Sequence, residues 1–162
     1  CHSVRIGGDA MDDKIIETMK RKHNLAIGDR TAEQLKITLG SAWPEGEAKE
    51  TLIKGRNLVS GLPQTVSVSS AEIADAISSP LNAIVDAIKA ALADTPPELA
   101  GDVLERGVVV TGGGALIRNI DVRLRNETGL PILIDENTLL SVALGGGKAL
   151  EDPDLLQAIA IN

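Results

Sequence analysis

The sequence predicts an α/β fold in which helices alternate with the strands of a parallel sheet. One observation is the run VVVT at residues 108–111, which is flanked by glycines and is typical of a strand buried on both faces. A second is the run PILID at 131–135, which has the length and the bounding residues of another strand. Helical patterns follow both runs, the first ending at Glu127 and the second extending from Leu139 to Leu150. The order strand–helix–strand–helix implies parallel pairing through right-handed crossovers.

Composition narrows the class of protein. The 162 residues suit one domain, or one domain with a small satellite, and the hydrophobic content of 43% is enough for a core. Because Trp43 is accompanied by no Phe or Tyr, the core is predicted to be aliphatic. The net charge of −7 argues against nucleic acid as a partner, since phosphate binding needs a basic surface. Cys1 is the single cysteine, which excludes an internal disulfide and fits a reducing cytosol.

The first 40 residues read as a strand end followed by two helices. The chain begins with Cys1 in what resembles the middle of an element, so we expect it to be a fragment of a longer protein. Gly7 and Gly8 predict a turn, with Asp9 as the N-cap of the first helix. The second helix is predicted from about residue 31 to residue 39.

Residues 41–70 differ from the flanking helical segments in composition and pattern. Glycine and proline punctuate two short alternating segments, ETLIKG and QTVSVS. Such segments predict a small antiparallel pair, and we interpret this region as the core of a small subdomain.

Three further helix starts are predicted from local signals. Ser69 and Glu72 are spaced as a capping box. Pro80 is predicted at the first position of a new helix, because proline suits the first turn. Thr95 is predicted to cap another helix, with Pro96 in its first position.

Two runs of three glycines need a reason, because each glycine inside regular structure costs roughly 0.5–1 kcal/mol relative to alanine. The first, Gly112–Gly114, follows the VVVT strand, at the edge of the sheet where ligands bind in open α/β folds. Backbone without Cβ atoms lets a ligand approach and exposes amide donors. A tight strand-to-helix turn is the alternative. The second, Gly145–Gly147, lies within a helical pattern, and there we favour close helix packing over a ligand.

Four stretches together resemble one family. RIGGDAMDDKII, NLAIGDRTAEQLKITLGSA, VVVTGGGALIRNIDVRLRNETGLPI and SVALGGGKALED are similar, in this order, to the MreB family of bacterial actin homologues. The resemblance implies one half of an actin-like ATPase of ribonuclease H-like fold, an α/β unit with a small α+β subdomain inserted. Residues 1–29 and 76–162 would form the large subdomain and residues 30–75 the small one.

The same resemblance implies an adenosine site. The bound nucleotide would be ATP, or ADP or GTP, with Mg²⁺ held mainly by residues outside this chain. Glutamate suits ribose hydroxyls, and a lysine can lie along the base through its apolar stem. A surface ion pair between the two side chains on the second helix is the alternative. The residues implied to contact the nucleotide are Gly8, Glu33, Lys36, Gly112, Gly113, Gly114 and Ile117.

The family also implies partners and a place in the cell. The whole protein would be a nucleotide-dependent, filament-forming actin that maintains rod cell shape and organises cell-wall synthesis. Its partners would be further copies of itself, stacked head-to-tail, the cell-wall elongation machinery, and the inner face of the cytoplasmic membrane through the other half. Longitudinal contacts are expected at the corner 95–98 and the turn 59–63. Because the phosphate-binding loops of the family are not in this chain, we expect the chain alone not to hydrolyse ATP.

Two stretches of the sequence depart from the usual motifs of the family. NTLLSVALGGG stands where D-P-L-T-C-V-A-x-G-x-G is more usual, and the chain opens on Cys1-His2. These departures leave open whether the paralogue is MreB proper, an Mbl-like form or a magnetosome-type actin. A sugar kinase or a chaperone ATPase of the same superfamily is a separate alternative. So is an α/β module that binds no nucleotide and whose glycines serve only in turns.

Overall fold

A computed structural model describes residues 2–43, 46, 48–154 and 157. The elements follow one another as α1 (Gly8–His23), β1 (Leu25–Ala26), α2 (Asp29–Leu39), β2 (Glu50–Asn57), β3 (Pro63–Ser69), α3 (Ser70–Ala93), α4 (Pro97–Arg106), β4 (Val108–Val110), a 3₁₀ turn (Gly113–Leu116), α5 (Ile120–Thr128), β5 (Ile132–Ile134) and α6 (Ser141–Glu151).

The strands form two separate sheets. β1, β2 and β3 make an antiparallel sheet, and β4 pairs with β5 in parallel with Val110 opposite Ile134. The predicted antiparallel pair and the predicted parallel pair are both confirmed. β1 lies within residues 1–29 but belongs to the sheet of residues 50–69. The division into two subdomains stays a prediction.

The core is aliphatic, as the composition predicts. α1, α2 and α3 pack against one another, and α3 also packs against β3 and α5. The largest side chains that are fully buried are those of Met11, Ile15, Met19, Leu25, Val68, Ile73, Ile77, Leu81 and Leu124. One continuous cluster therefore connects the antiparallel sheet with the parallel one.

α3 runs unbroken from Ser70 to Ala93, so the prediction that Pro80 begins a new helix is wrong. Pro80 is buried inside the helix, where packing outweighs the loss of one backbone hydrogen bond. The capping box at the start of the helix is confirmed: Ser69 Oγ accepts from the amide of Glu72 at 3.3 Å. The Glu72 carboxylate accepts from the amide of Ser69 at the same distance.

By length and composition, α3 could cross a membrane, with 24 residues and a mean hydropathy of 1.2. Its apolar side chains, however, are those that pack against α1, α2, β3 and α5. A core helix of a water-soluble domain meets the same criteria.

Two other helix starts differ from their predictions. Gly7, rather than Asp9, occupies the N-cap of α1, and Asp9 lies in the first turn. α4 begins at Pro97 with Pro96 as N-cap, because the hydroxyl of Thr95 donates back to the carbonyl of Ala91 at 2.8 Å. That bond ends the preceding helix instead of capping the next one.

The parallel pair is less buried than the VVV run predicts. The side chain of Val109 is 63% exposed, since the sheet has two strands and one of its faces is uncovered within the described residues. The second glycine triplet, Gly145–Gly147, does lie inside a helix, α6. Within the described residues no other element packs closely against it, since a Cβ added at any of the three would meet no atom of another element within 4 Å.

Candidate functional site

The two parallel strands end side by side, and a polar side chain follows each. Thr111 comes after β4 and Asp135 after β5, and the amide of Asp135 donates to the carbonyl of Val110 at 3.0 Å. Thr111 Oγ1 lies 3.1 Å from both Asp135 Oδ2 and the carbonyl of Thr138. These contacts fix the strand ends relative to each other.

Asp135 is the acceptor at the centre of this cluster. The hydroxyl of Ser141, at the start of α6, donates to Asp135 Oδ2, and the amide of Asn137 donates to Oδ1 at 3.1 Å. The Ser141 hydroxyl, followed by the Asn137 amide and the Thr111 hydroxyl, lowers the pKa of Asp135 below its ordinary value. The carboxylate therefore stays ionised and holds the loop between β5 and α6.

The first glycine triplet follows β4 and runs beside this cluster as backbone without side chains. Gly112 has φ +84°, a left-handed conformation suited to glycine, and its amide donates to the carbonyl of Thr138 at 2.9 Å. A Cβ on Gly113 would meet only the tip of Leu139, at 3.8 Å, and one on Gly114 would meet nothing within 4 Å. This backbone thus faces open space and is not plugged by side chains.

The helix predicted after the triplet is interrupted. A 3₁₀ turn spans Gly113–Leu116, and α5 begins only at Ile120, because Asn119 takes a left-handed conformation with φ +59°. Ile117 lies between these two helical pieces and packs, half-buried, against the core. One part of Ile117 is therefore committed to the core and the other is open.

The segment after the glycines is tied to the end of α2. The guanidinium of Arg118 donates to the carbonyls of Gly40 at 3.1 Å and Thr38 at 3.3 Å, and the amide of Ala42 donates to the carbonyl of Arg118 at 2.8 Å. A parallel bridge joins Ser41 to Arg118. The glycine loop and α2 are consequently neighbours in space although they are about 80 residues apart.

Two more side chains reinforce this connection. The amide of Asn119 donates to Ser41 Oγ at 3.2 Å and to the carbonyl of Trp43 at 3.3 Å. Arg123, one turn into α5, donates to the carbonyl of Ala42 at 3.0 Å. The contacts that begin at Arg118, four residues after Gly114, thus hold the C-terminal end of α2 and the residues that follow it.

α2 carries the two predicted lid residues in different environments. Glu33 is exposed, whereas Lys36 is half-buried. Lys36 Nζ lies 2.7 Å from Asp12 Oδ2 and 3.2 Å from the carbonyl of Gly8, both on α1. Lys36 is therefore not paired with Glu33, and the structure brings together two of the predicted site residues, Lys36 and Gly8.

Among the residues that the structure describes, no cluster of three or more His, Cys, Asp or Glu side chains could hold a metal ion.

Sequence reasoning missed four residues of this region: Asp12, Thr111, Arg118 and Asp135. Thr111 and Asp135 had a usable signal, since each is the last residue of a predicted strand of the parallel pair, where polar side chains meet. Asp12 and Arg118 had none, because their partners lie 24 and about 80 residues away along the chain.

Comparison with known proteins places the chain in one family. A family profile described as MreB/Mbl protein matches residues 1–158. The chain is 50% identical over 153 residues to the cell shape-determining protein MreB of Escherichia coli strain K12, covering 94% of this chain and 44% of that protein. It is 44% identical over 160 residues to the cell shape-determining protein Mbl of Bacillus cereus, covering 99% of this chain and 48% of that protein.

Superposition on solved structures agrees with the family assignment. MreB5 of Spiroplasma citri bound to AMPPNP superposes with a TM-score of 0.88 at 36% identity, over 96% of this chain and 46% of that one. The MamK double helical filament superposes with a TM-score of 0.73 at 19% identity, over 90% of this chain and 45% of that one, a likeness of fold alone. The predicted α/β actin-like fold is thereby confirmed.

The chain spans about half the length of the curated relatives that it matches. Over that half the match is nearly continuous and extends from the first residue through α6. This chain belongs to the MreB/Mbl family of bacterial actin homologues.

Proposed function

We propose that this chain forms the adenosine side of the nucleotide cleft in a filament-forming, cell shape-determining protein. The observation that carries the proposal is the open, bare backbone of Gly112–Gly114 at the carboxyl end of β4, tied through Arg118 to the end of α2. Relatives at 44–50% identity are named for cell-shape determination, and S. citri MreB5 has been solved with AMPPNP and with ADP. The names of the relatives support the role in cell shape, and the MreB5 structures support a nucleotide in this cleft.

The glycines form one wall of the proposed cleft. Among the described residues, only the tip of Leu139 lies within 4 Å of where a Cβ on Gly113 or Gly114 would stand, so a flat base can reach van der Waals distance of the main chain. Ile117, half-buried, adds an apolar edge to this wall. These features suit an uncharged purine better than a phosphate.

α2 forms the opposite wall. Glu33, which is exposed, accepts from ribose hydroxyls, and Lys36 offers the apolar stem of its side chain to the base. Gly8, at the start of α1, leaves room for the ammonium of Lys36 beside this wall. ATP, ADP or GTP fits such a cleft through its nucleoside.

Phosphate and Mg²⁺ chemistry belongs to the half of the protein outside this chain. Mg²⁺ neutralises charge on the transferring phosphoryl group when it is bound. The role that we propose for the residues of this chain is to bind and orient the nucleoside.

The proposed filament is head-to-tail. The β2–β3 turn carries exposed apolar side chains, with Val59 83% and Leu62 66% exposed, and such a patch is expected to be covered by the next subunit. The further partners we propose are the cell-wall elongation machinery and the inner face of the cytoplasmic membrane, with the membrane contacted by the other half. A cytoplasmic protein that works at the membrane is the corresponding location.

A binding measurement tests this function in the full-length protein. Gly113→Val places a branched side chain in the open face of the loop without a positive-φ penalty, and we expect it to abolish binding of a fluorescent ATP analogue. Gly101→Val, a glycine on exposed α4 with equally open surroundings, is the matched control and should bind as the unaltered protein does.

Unchanged affinity in Gly113→Val, with both variants folded by circular dichroism, would reject the adenosine site. Pelleting of the unaltered protein with ATP, dependent on protein concentration, is expected of a filament. A sugar kinase would instead stay in solution and consume ATP only with its sugar.

A further inference from the structure

The ion pair between Lys36 and Asp12 is unusual among the contacts described. Both side chains are only 14% exposed, whereas the next most buried pair, His23–Glu72, has 22% and 23%. Its atoms are 2.7 Å apart, and it joins α2 to α1 across 24 residues of chain.

The ion pair also explains why residue 8 is a glycine. Lys36 Nζ donates to the carbonyl of Gly8 at 3.2 Å, and a Cβ at Gly8 would lie only 3.0 Å from that same nitrogen. The ammonium therefore occupies the space that a side chain at residue 8 would fill. Gly8, Asp12 and Lys36 form one unit, which we name the lysine clamp.

Stability alone is a poor reason for the clamp. Burying two charges carries a desolvation cost that their attraction often fails to exceed. Here the cost is raised further, because Asp12 Oδ1 is buried without a hydrogen-bond partner among the described residues. What the clamp does provide is a fixed position for the lysine ammonium.

We propose that Asp12 is a positioning residue for nucleoside recognition. By holding Nζ next to the carbonyl of Gly8, Asp12 keeps the four-carbon stem of Lys36 in one conformation. The stem then presents a rigid apolar edge to the base. The ammonium, committed to Asp12 and Gly8, does not reach the phosphates. This inference rests on the proposed nucleotide site and specifies how one of its walls is held.

The test compares two ligands in the full-length protein: ATP, and inorganic tripolyphosphate, which lacks the nucleoside. Asp12→Asn removes the charge with little change of shape, and we expect ATP to bind up to about tenfold more weakly, because the freed Lys36 side chain must then be ordered on binding. Tripolyphosphate should bind as before. Asp13→Asn, the exposed neighbour on the same helix, is the control and should change neither affinity.

A second variant covers the case in which Asp12→Asn does not fold. Asp12→Leu with Lys36→Met replaces the ion pair by an apolar pair that keeps an unbranched stem in place. ATP affinity within about threefold of the unaltered protein supports the proposal. A loss as large as that of Lys36→Ala overturns it.

The remaining outcomes are distinguishable. Equal weakening of ATP and tripolyphosphate by Asp12→Asn, or no weakening of either, would mean a merely structural pair and overturn the positioning role while the nucleotide site stands. If the unaltered protein binds ATP no more tightly than tripolyphosphate, the adenosine site itself is wrong and the positioning role is overturned with it.

Discussion

Asp135 shows how single residues shape the site at the strand ends. Its carboxylate accepts from Ser141, Asn137 and Thr111 and so joins both strand ends to the start of α6. The amide of Gly112 donates to the carbonyl of Thr138 in the same loop. The conformation of the glycine loop therefore depends on a charge that lies outside the glycine motif.

The stabilisation by Asp135 is expected to depend on pH. Its pKa is lowered in the folded protein, first by the Ser141 hydroxyl and then by the Asn137 amide. A carboxyl with a depressed pKa contributes stability above its unfolded-state pKa, near 3.8, and loses it as the pH falls through the lower folded value. Asp135→Asn should thus lower the urea midpoint of the full-length protein at pH 7, and the difference should shrink below about pH 4.

Glu136→Gln, at the exposed next residue, is the control and should show no such difference. A deficit in Asp135→Asn that is the same at pH 7 and pH 3 would assign the effect to shape rather than charge.

Individual site residues were predictable only where the signal is local. Gly112–Gly114 could be read as a ligand-facing turn because the residues before them form a recognisable strand. The partner of Lys36 could not be identified, since Glu33 lies nearby in sequence whereas Asp12 becomes a neighbour only when α1 and α2 pack. The family resemblance supplied Lys36 and Gly8, and the packing supplied the reason why they belong together.

At the scale of elements, α3 is organised from its first turn. Ser69 and Glu72 satisfy each other's amides, which fixes the point where β3 ends and the helix begins. The helix then crosses the core, where Pro80 is tolerated because its buried neighbours hold the chain helical.

Ser69→Ala is expected to destabilise the protein by about 1 kcal/mol, the usual cost of a lost N-cap hydrogen bond. Urea unfolding of the full-length protein measures this. Ser79→Ala, at an exposed position inside the same helix, should be neutral or slightly stabilising because alanine is the better helix former. Equal midpoints for the two variants would mean that the capping box does not set the helix start.

Element boundaries were predicted less well than element types. The hairpin and the parallel pair follow from alternation and from β-branched runs, which are properties of the segments themselves. The prediction that Thr95 caps α4 is wrong because a threonine hydroxyl can also hydrogen-bond to the preceding helix. Here it donates to the carbonyl of Ala91. The VVV run led to too high a prediction of burial for β4. The exposure of a strand depends on which elements cover the sheet, and the strand's own sequence carries no information about them.

At the scale of the whole molecule, the fold is two sheets connected by one aliphatic core. The family resemblance predicted an α/β actin-like fold, and the superposition on S. citri MreB5 with a TM-score of 0.88 confirms it. Apolar surface that this core leaves uncovered, at the β2–β3 turn and on β4, indicates where other parts of an assembly are expected.

Leu62→Asp in the β2–β3 turn is expected to reduce pelleting of the full-length protein with ATP, because it places a charge in the proposed contact between subunits. Nucleotide affinity should not change. Thr65→Asp, an exposed position on β3, adds the same charge outside the turn and should pellet normally. Normal pelleting of Leu62→Asp would place the longitudinal contact elsewhere.

The most direct measurement is a crystal structure of the full-length protein with AMPPNP. We expect the base to lie between the backbone of Gly113 and the stem of Lys36, with atoms of both within about 4 Å of the ring, and the ribose hydroxyls at Glu33. An adenosine bound elsewhere, with the space between the glycine loop and α2 filled by side chains, would contradict the proposed cleft.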